Sequence, residues 1–162
     1  MAWTVTAATE QDHGSLLSNL LSLYVHDMSS YFTGIAVRPD GRFQYDYAWD
    51  DPANLPYVMF ADDLPAGFAL LAKGSAIDGD PEIWDIQEFF VLRSLRRRGG
   101  GTWLARTIWE RHPGSWDVRI GQSNKPALSF WPTAIEAHVG DRPEGVVKEA
   151  RGSPMVCYRF KC

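Results

Sequence analysis

Cysteine is scarce in this chain, with Cys157 and Cys162 the two among 162 residues. That number excludes a disulfide scaffold, and neither residue stands at metal-ligand spacing, so no metal site is expected. On a terminal strand, positions five apart point to opposite faces, which predicts two free thiols in a reducing cytoplasm. Long apolar runs are missing too, so no segment reaches the roughly 20 residues that cross a bilayer, and no membrane partner is expected. Met1-Ala2-Trp3-Thr4 lacks the basic-then-apolar pattern of a secretory leader. An excess of positive charge is also absent: 16 Lys and Arg against 20 Asp and Glu leave a formal net charge of −4. A chain of that sign is a poor general binder of nucleic acid or of anionic lipid. With no repeat and no low-complexity linker, residues 1–162 read as one domain.

Hydrophobic residues make up 45% and charged residues 22%, a balance that excludes wholesale disorder and suffices for a real core. Aromatics reach 13%, with seven Trp, enough to fill a core and to line a pocket or an interface.

Thr9, with Asp12 three residues on, predicts a helix start. Leu16, Leu17, Leu20, Leu21, Tyr24 and Met28 recur at helical spacing and carry that helix to about Ser29. A mixed stretch follows, in which Gly34, Pro39, Asp40 and Gly41 form turns, and Phe43, Tyr45 and Tyr47 alternate as in a short strand or an ordered loop. Residues 56–61 and 67–73 predict a hairpin about Asp62-Asp63-Leu64-Pro65, and 83–91 a central strand, apolar on both faces. Gly99 to Glu110 predicts a helix, Trp116, Val118 and Ile120 a strand, and the segment from Asn124 a second helix with Ala127, Phe130, Trp131, Ala134, Ile135 and His138 on one face. Val146-Val147 and 155–160 close the chain as strands. Helix, hairpin, strand, helix, strand, helix, strand is an α/β order.

The chemistry concentrates between the central strand and the next helix, in Arg96-Arg97-Arg98-Gly99-Gly100-Gly101-Thr102. Glycines let the backbone turn tightly and approach a ligand. The unpaired N–H groups at a helix start, beside three arginines, form an anion site suited to a pyrophosphate. The same run reads equally as a solvated charge cluster before a flexible helix start. Neither the Gly-x-x-x-x-Gly-Lys-Ser/Thr nor the Gly-x-Gly-x-x-Gly phosphate motif is present. An arginine–glycine RNA contact is weakly supported by one cluster on an acidic chain.

Arg96-x-x-Gly99-x-Gly101, after a strand ending in Val91, resembles the acyl-CoA pyrophosphate loop of the GNAT N-acetyltransferase superfamily. Asn124-Lys-Pro-Ala127-Leu-Ser-Phe130-Trp131 resembles its Asn-x-x-Ala-x-x-Phe-Tyr helix start, in the expected order and one strand later. The two motifs cover roughly residues 83–138. Residues 23–29 and 43–47 look similar to a bacterial branch of these acetyltransferases. The resemblance implies a mixed, largely antiparallel central sheet flanked by helices, with splayed central strands. It implies acetyl-CoA as co-substrate. Main-chain groups of Phe89 and Val91 would pair with the pantetheine arm, Arg96 and the amides of Arg97, Arg98, Gly99, Gly100, Gly101 and Thr102 would serve the pyrophosphate, and Asn124 would contact the cofactor. It further implies transfer to a primary amine, small molecule or peptide, in a ternary complex, and domains of this kind often form homodimers.

Amine acetylation needs a base to free the nucleophile's lone pair. Glu88 is the candidate, with a paired structural carboxylate as the equal alternative. Asp85, on the face opposite by strand alternation, reads more readily as structural. The superfamily's tyrosine acid has Trp131 in its place here, and Pro132 after it predicts a kink or delay in the helix. Tyr158 is a further candidate acid that reads more readily as packing. Loss of the acid leaves a non-catalytic acyl-CoA-binding or regulatory module as the second reading. His13 and His112 fall near helix ends and His138 on an apolar face. His26 and Asp27 could face the acceptor. Tyr31, Phe32, Tyr45, Tyr47 and Trp49, with Asp27, Asp46 or Asp50, could shape a pocket for a cation, although loop packing is their commoner use.

Overall fold

A computed structural model describes residues 1–43, 45–150 and 152–162. Gln44, within the 43–47 segment, lies outside the described residues. The order is β1 (Trp3–Ala7), α1 (Glu10–Met28), β2 (Asn54–Ala61), β3 (Leu64–Lys73), β4 (Trp84–Val91), α2 (Gly100–Arg111), β5 (Ser115–Gly121), α3 (Lys125–Val139), β6 (Val146–Ala150) and β7 (Ser153–Lys161). The strands form one sheet in the order β1-β2-β3-β4-β5-β7-β6. Every neighbouring pair is antiparallel except β4–β5. This is the α/β, mixed and largely antiparallel sheet that the motifs imply, with β4 at its centre.

Local chemistry accounts for the elements. Thr9 Oγ1 accepts from the Asp12 amide at 3.2 Å and caps α1, satisfying one of the free donors of the first turn. Asp62 and Asp63 both take positive φ, 47° and 66°, as a two-residue hairpin turn requires. Pro132 does not delay the helix. Lys125–Val139 is one helix with Pro132 inside it, because the buried Trp131, Ala134 and Ile135 anchor both sides of the proline. β1 has no counterpart in the sequence-based reading. Its five residues pair with β2 from Trp3↔Ala61 to Ala7↔Tyr57, and so short an alternation is a weak signal by itself.

The sheet separates two apolar layers. On one face Leu71, Ile86, Trp116 and Val118 pack with Leu104 and Ile108 of α2 and Trp131 and Ile135 of α3. On the other, Leu17, Leu20 and Leu21 of α1 cover Val58, Phe68, Leu70 and Phe90. Most of the tryptophan excess is absorbed here: Trp109, Trp116 and Trp131 are buried in the first layer, and Trp3, Trp84 and Trp103 pack against it. Both cysteines are free, and burial pushes each thiol up from its ordinary value.

Candidate active site

Two departures from regular pairing create the site. The parallel β4–β5 ladder holds for three pairs, Trp84↔Trp116 to Ile86↔Val118, and then the strands part. On the other edge of β4, Leu71 pairs with Ile86 but Leu70 with Glu88. Gln87 is therefore an extra residue, a bulge that resets the alternation. A cleft of about 850 Å³ occupies the resulting gap, lined by both strands, α1, the 32–36 loop, the start of α3 and the β6–β7 turn region.

The bulge corrects the expectation for Asp85. Three residues apart in a regular strand, Asp85 and Glu88 would face opposite ways. Here Asp85 pairs with Ala72 and Glu88 with Leu70, so both carboxylates lie on the α1 face. Their environments differ. Asp85 is bound twice by Arg119, Nε to Oδ1 at 3.0 Å and Nη2 to Oδ2 at 2.6 Å, with both side chains 2% exposed. It is a structural ion pair. Glu88 is 9% exposed and lines the cleft. Its Oε2 accepts from the Tyr24 hydroxyl and its Oε1 from Tyr45 Oη at 3.2 Å. Tyr24 and Arg119 were not singled out from the sequence. Tyr24 belongs to the apolar stripe of α1, and Arg119 to the polar alternation of β5, signals that core packing explains as well.

Beyond the bulge, the Leu92 amide donates to Ala66 O at 2.8 Å. Alternation then turns the N–H and C=O of Phe89 and Val91 away from β3 and toward the gap. The chain turns next through residues 93–95 and reaches Arg97 with φ +62° and Gly99 with φ +86°. Both residues bend the backbone so that successive amides lead into α2. No side chain caps that helix, and its first turn carries no acid, so the amides of Gly100, Gly101 and Thr102 keep their anion-binding capacity. A Cβ on Gly100 would sit 2.8 Å from the Trp3 ring and 3.0 Å from Met59 Cε, and one on Gly101 3.4 Å from Phe130.

The three arginines divide. Arg97 and Arg98 are exposed. Arg96 is a brace: its Nε donates to Val91 O at 2.8 Å, its Nη2 binds Asp27 Oδ2, and its guanidinium lies 5.6 Å from the Phe90 ring centroid. Arg93 reaches the same carboxylate at 3.1 Å. Asp27 is thus a latch between α1 and the loop after β4, not an acceptor-facing group.

Asn124 Oδ1 accepts from Ala127 N at 3.2 Å and caps α3 at the cleft wall. Trp131 lines the same wall, is 5% exposed and meets Phe89 with ring centroids 4.9 Å apart. The side chain that α3 presents at this wall is therefore an indole. Tyr158 belongs to the buried layer under α2 and α3. Phe32 and Tyr45 line the cleft, whereas Tyr47 and Trp49 pack toward α1. His13 Nδ1 accepts from the Thr9 amide, His112 meets Tyr57 Oη at 3.0 Å, and His138 and His26 pack on Trp109 and Phe43.

A splayed parallel pair and a strand bulge that open a cleft, with an uncapped glycine-led helix start following the same central strand, are the anatomy of an acyl-CoA-dependent transferase. The family model of the "Acetyltransferase (GNAT) family" matches residues 20–132, and the chain belongs to that family. Solved structures agree in fold. An aminoglycoside acetyltransferase, AAC(6')-Ib, in complex with coenzyme A superposes with a TM-score of 0.69 at 19% identity, over 99% of this chain and 95% of that one. The same enzyme with coenzyme A and kanamycin gives 0.66 at 17%, over 99% and 95%. A Bacillus subtilis acetyltransferase in complex with CoA gives 0.59 at 16%, over 99% of both chains. Among curated proteins, no sequence match is found. Among the described residues, no helix is long and apolar enough to cross a membrane.

Proposed function

We propose that this chain is an acetyl-CoA-dependent N-acetyltransferase acting as a single domain, moving an acetyl group directly to a primary amine in a ternary complex. The observation that carries the reading is the cleft itself: a gap bordered by Phe89, with a carboxylate, Glu88, on the α1 side, and with the main chain of Phe89 and the N–H of Val91 turned away from β3. The residues present fit coenzyme A. Amides from Arg97 to Thr102 hold the pyrophosphate, with the exposed Arg97 and Arg98 adding positive charge beside it. Arg96 contributes by fixing the loop. Phe89 and Val91 pair with the pantetheine arm as an added strand would, and Asn124 borders its path.

The thioester supplies an activated acetyl carbon, to which the amine nitrogen bonds as the C–S bond breaks and thiolate leaves. Glu88 removes the ammonium proton, directly or through water, and so frees the nitrogen lone pair. Tyr24 and Tyr45 hold both oxygens of that carboxylate in place. A main-chain N–H of the gap can stabilise the charge that develops on the carbonyl oxygen. Trp131 provides no proton for the leaving thiolate, so the second proton, which the nitrogen sheds once the N–C bond has formed, reaches the thiolate through solvent or a cleft tyrosine hydroxyl. Among the described residues none is an activated nucleophile, since Cys157 is buried with its thiol pushed up by burial, which favours direct transfer over an acyl-enzyme.

Trp131 also favours a second reading, an acyl-CoA-binding module without turnover. Calorimetric titration with acetyl-CoA, with Arg97→Glu and Gly101→Glu as controls, tests what both share. Saturable binding that weakens at least tenfold in either control is expected. Absence of binding to folded protein overturns both readings. Thiol release on adding an amine then separates catalyst from binder.

A further inference from the structure

The α1 side of the cleft has a composition that restricts the acceptor. Its walls come from Tyr24 and Met28 of α1, Phe32 and Ile35 of the following loop, Tyr45, and Met155 of β7. These are aromatic, thioether and aliphatic side chains. Among the described residues, Glu88 and no other acid lines the cleft. Asp85, on the same face of β4, is bound by Arg119 and out of reach of a ligand ammonium. Asp27 is taken up by Arg93 and Arg96. Asp46 lies with Tyr47 and Trp49 around a separate, smaller hollow under α1.

We infer that the acceptor is a monoamine with an apolar, preferably aromatic, tail: one ammonium beside Glu88 and a hydrophobic body against the Tyr24, Phe32 and Tyr45 walls. This rests on the N-acetyltransferase reading above. An aromatic tail buries apolar area and packs edge or face against these rings. The ammonium that precedes deprotonation also gains from the phenol faces. A polycation fares worse. Each further ammonium must lose water against Met28, Ile35 or Met155 with no second carboxylate to receive it. The site therefore opposes aminoglycosides and polyamines, although a structural neighbour is named for aminoglycosides.

The test compares kcat/KM for 2-phenylethylamine, ethylamine, spermidine and kanamycin, read by thiol release with saturating acetyl-CoA. The expected order places 2-phenylethylamine at least tenfold above each of the other three. Ile35→Asp, which adds a carboxylate to the apolar wall at a loop position, should raise the spermidine to 2-phenylethylamine ratio about tenfold. Preference for kanamycin or spermidine, or equal use of ethylamine and 2-phenylethylamine, overturns the inference while leaving an N-acetyltransferase in place. So does an unchanged ratio in folded Ile35→Asp protein. Saturable acetyl-CoA binding with no thiol release on any of the four amines overturns the catalytic reading and the inference together.

Discussion

Glu88 and Asp85 are two carboxylates on one strand face whose partners assign them different work. Glu88 meets two phenol hydroxyls at the cleft. Replacing it by Gln keeps the shape and removes the proposed base. Turnover should fall by roughly 10²–10⁴-fold, while acetyl-CoA affinity, measured by calorimetry, stays within about twofold. Full activity of Glu88→Gln across the pH range would remove Glu88 as the base. Asp85 belongs to a dry ion pair. Asp85→Ala leaves the Arg119 guanidinium buried without its partner and should cost about 3–5 kcal/mol in urea unfolding. Asp85→Leu with Arg119→Met removes both charges together and should cost less than the single change. A double variant as unstable as Asp85→Ala would show that packing, not the orphaned charge, sets the loss.

At the scale of elements, the site depends on how β4 is held by β3. Gly67 opposes Val91, and a Cβ there would come within 2.1 Å of Phe90 O. The contact is to backbone, which cannot swing aside. Gly67→Ala should therefore push the end of β4 away and cost about 1–3 kcal/mol, read as a lower urea midpoint. Because Val91 and the loop after it move with that end, acetyl-CoA affinity should fall as well. Unchanged affinity in the folded variant would separate the loop from this register. The helix boundaries, the Asp62-Asp63 turn and the uncapped start of α2 follow from local residue types. The bulge at Gln87 does not: nothing in Trp84–Val91 marks one residue as extra, since apolar side chains stand on both faces of that strand. The expectation that Asp85 faced away from Glu88 failed for that reason.

At the scale of the molecule, acid should weaken the fold in two stages. His112 at the end of α2 lies against Tyr57 and Trp84. Burial first, then the Arg111 and Lys73 charges, hold it below its ordinary value of 6.5. A depressed folded value means the unfolded chain takes up the proton more readily, so this stability is complete above about pH 6.5 and declines as pH falls through it. His112→Gln should show a smaller loss of Tm between about pH 7 and 5 than the unaltered protein. An equal loss in both would assign the effect elsewhere. The second stage lies lower. Arg159 above all, then the Asp80 amide, hold the Asp78 carboxyl well below the usual carboxylate range. That contribution is present above the ordinary Asp value and disappears as pH drops beneath it. Arg159 also binds the fully buried Asp117 at 2.7 Å, tying the segment after β3 to β5 and β7.

Taken alone, the sequence determined the α/β element order from α1 onward, the helix starts at Thr9 and Asn124, and the glycine-arginine loop with its family, because these are written in neighbouring residues through caps, turn formers and short motifs. Tertiary structure decided what depends on residues far apart in the chain. It set the register that makes Gln87 a bulge, placed Glu88 against Tyr24 and Tyr45, and bound Asp85 to Arg119. It also took Arg96 and Asp27 for a brace between α1 and the loop after β4. Side-chain type gives each of these groups several uses, and the packing of strand against strand selects one.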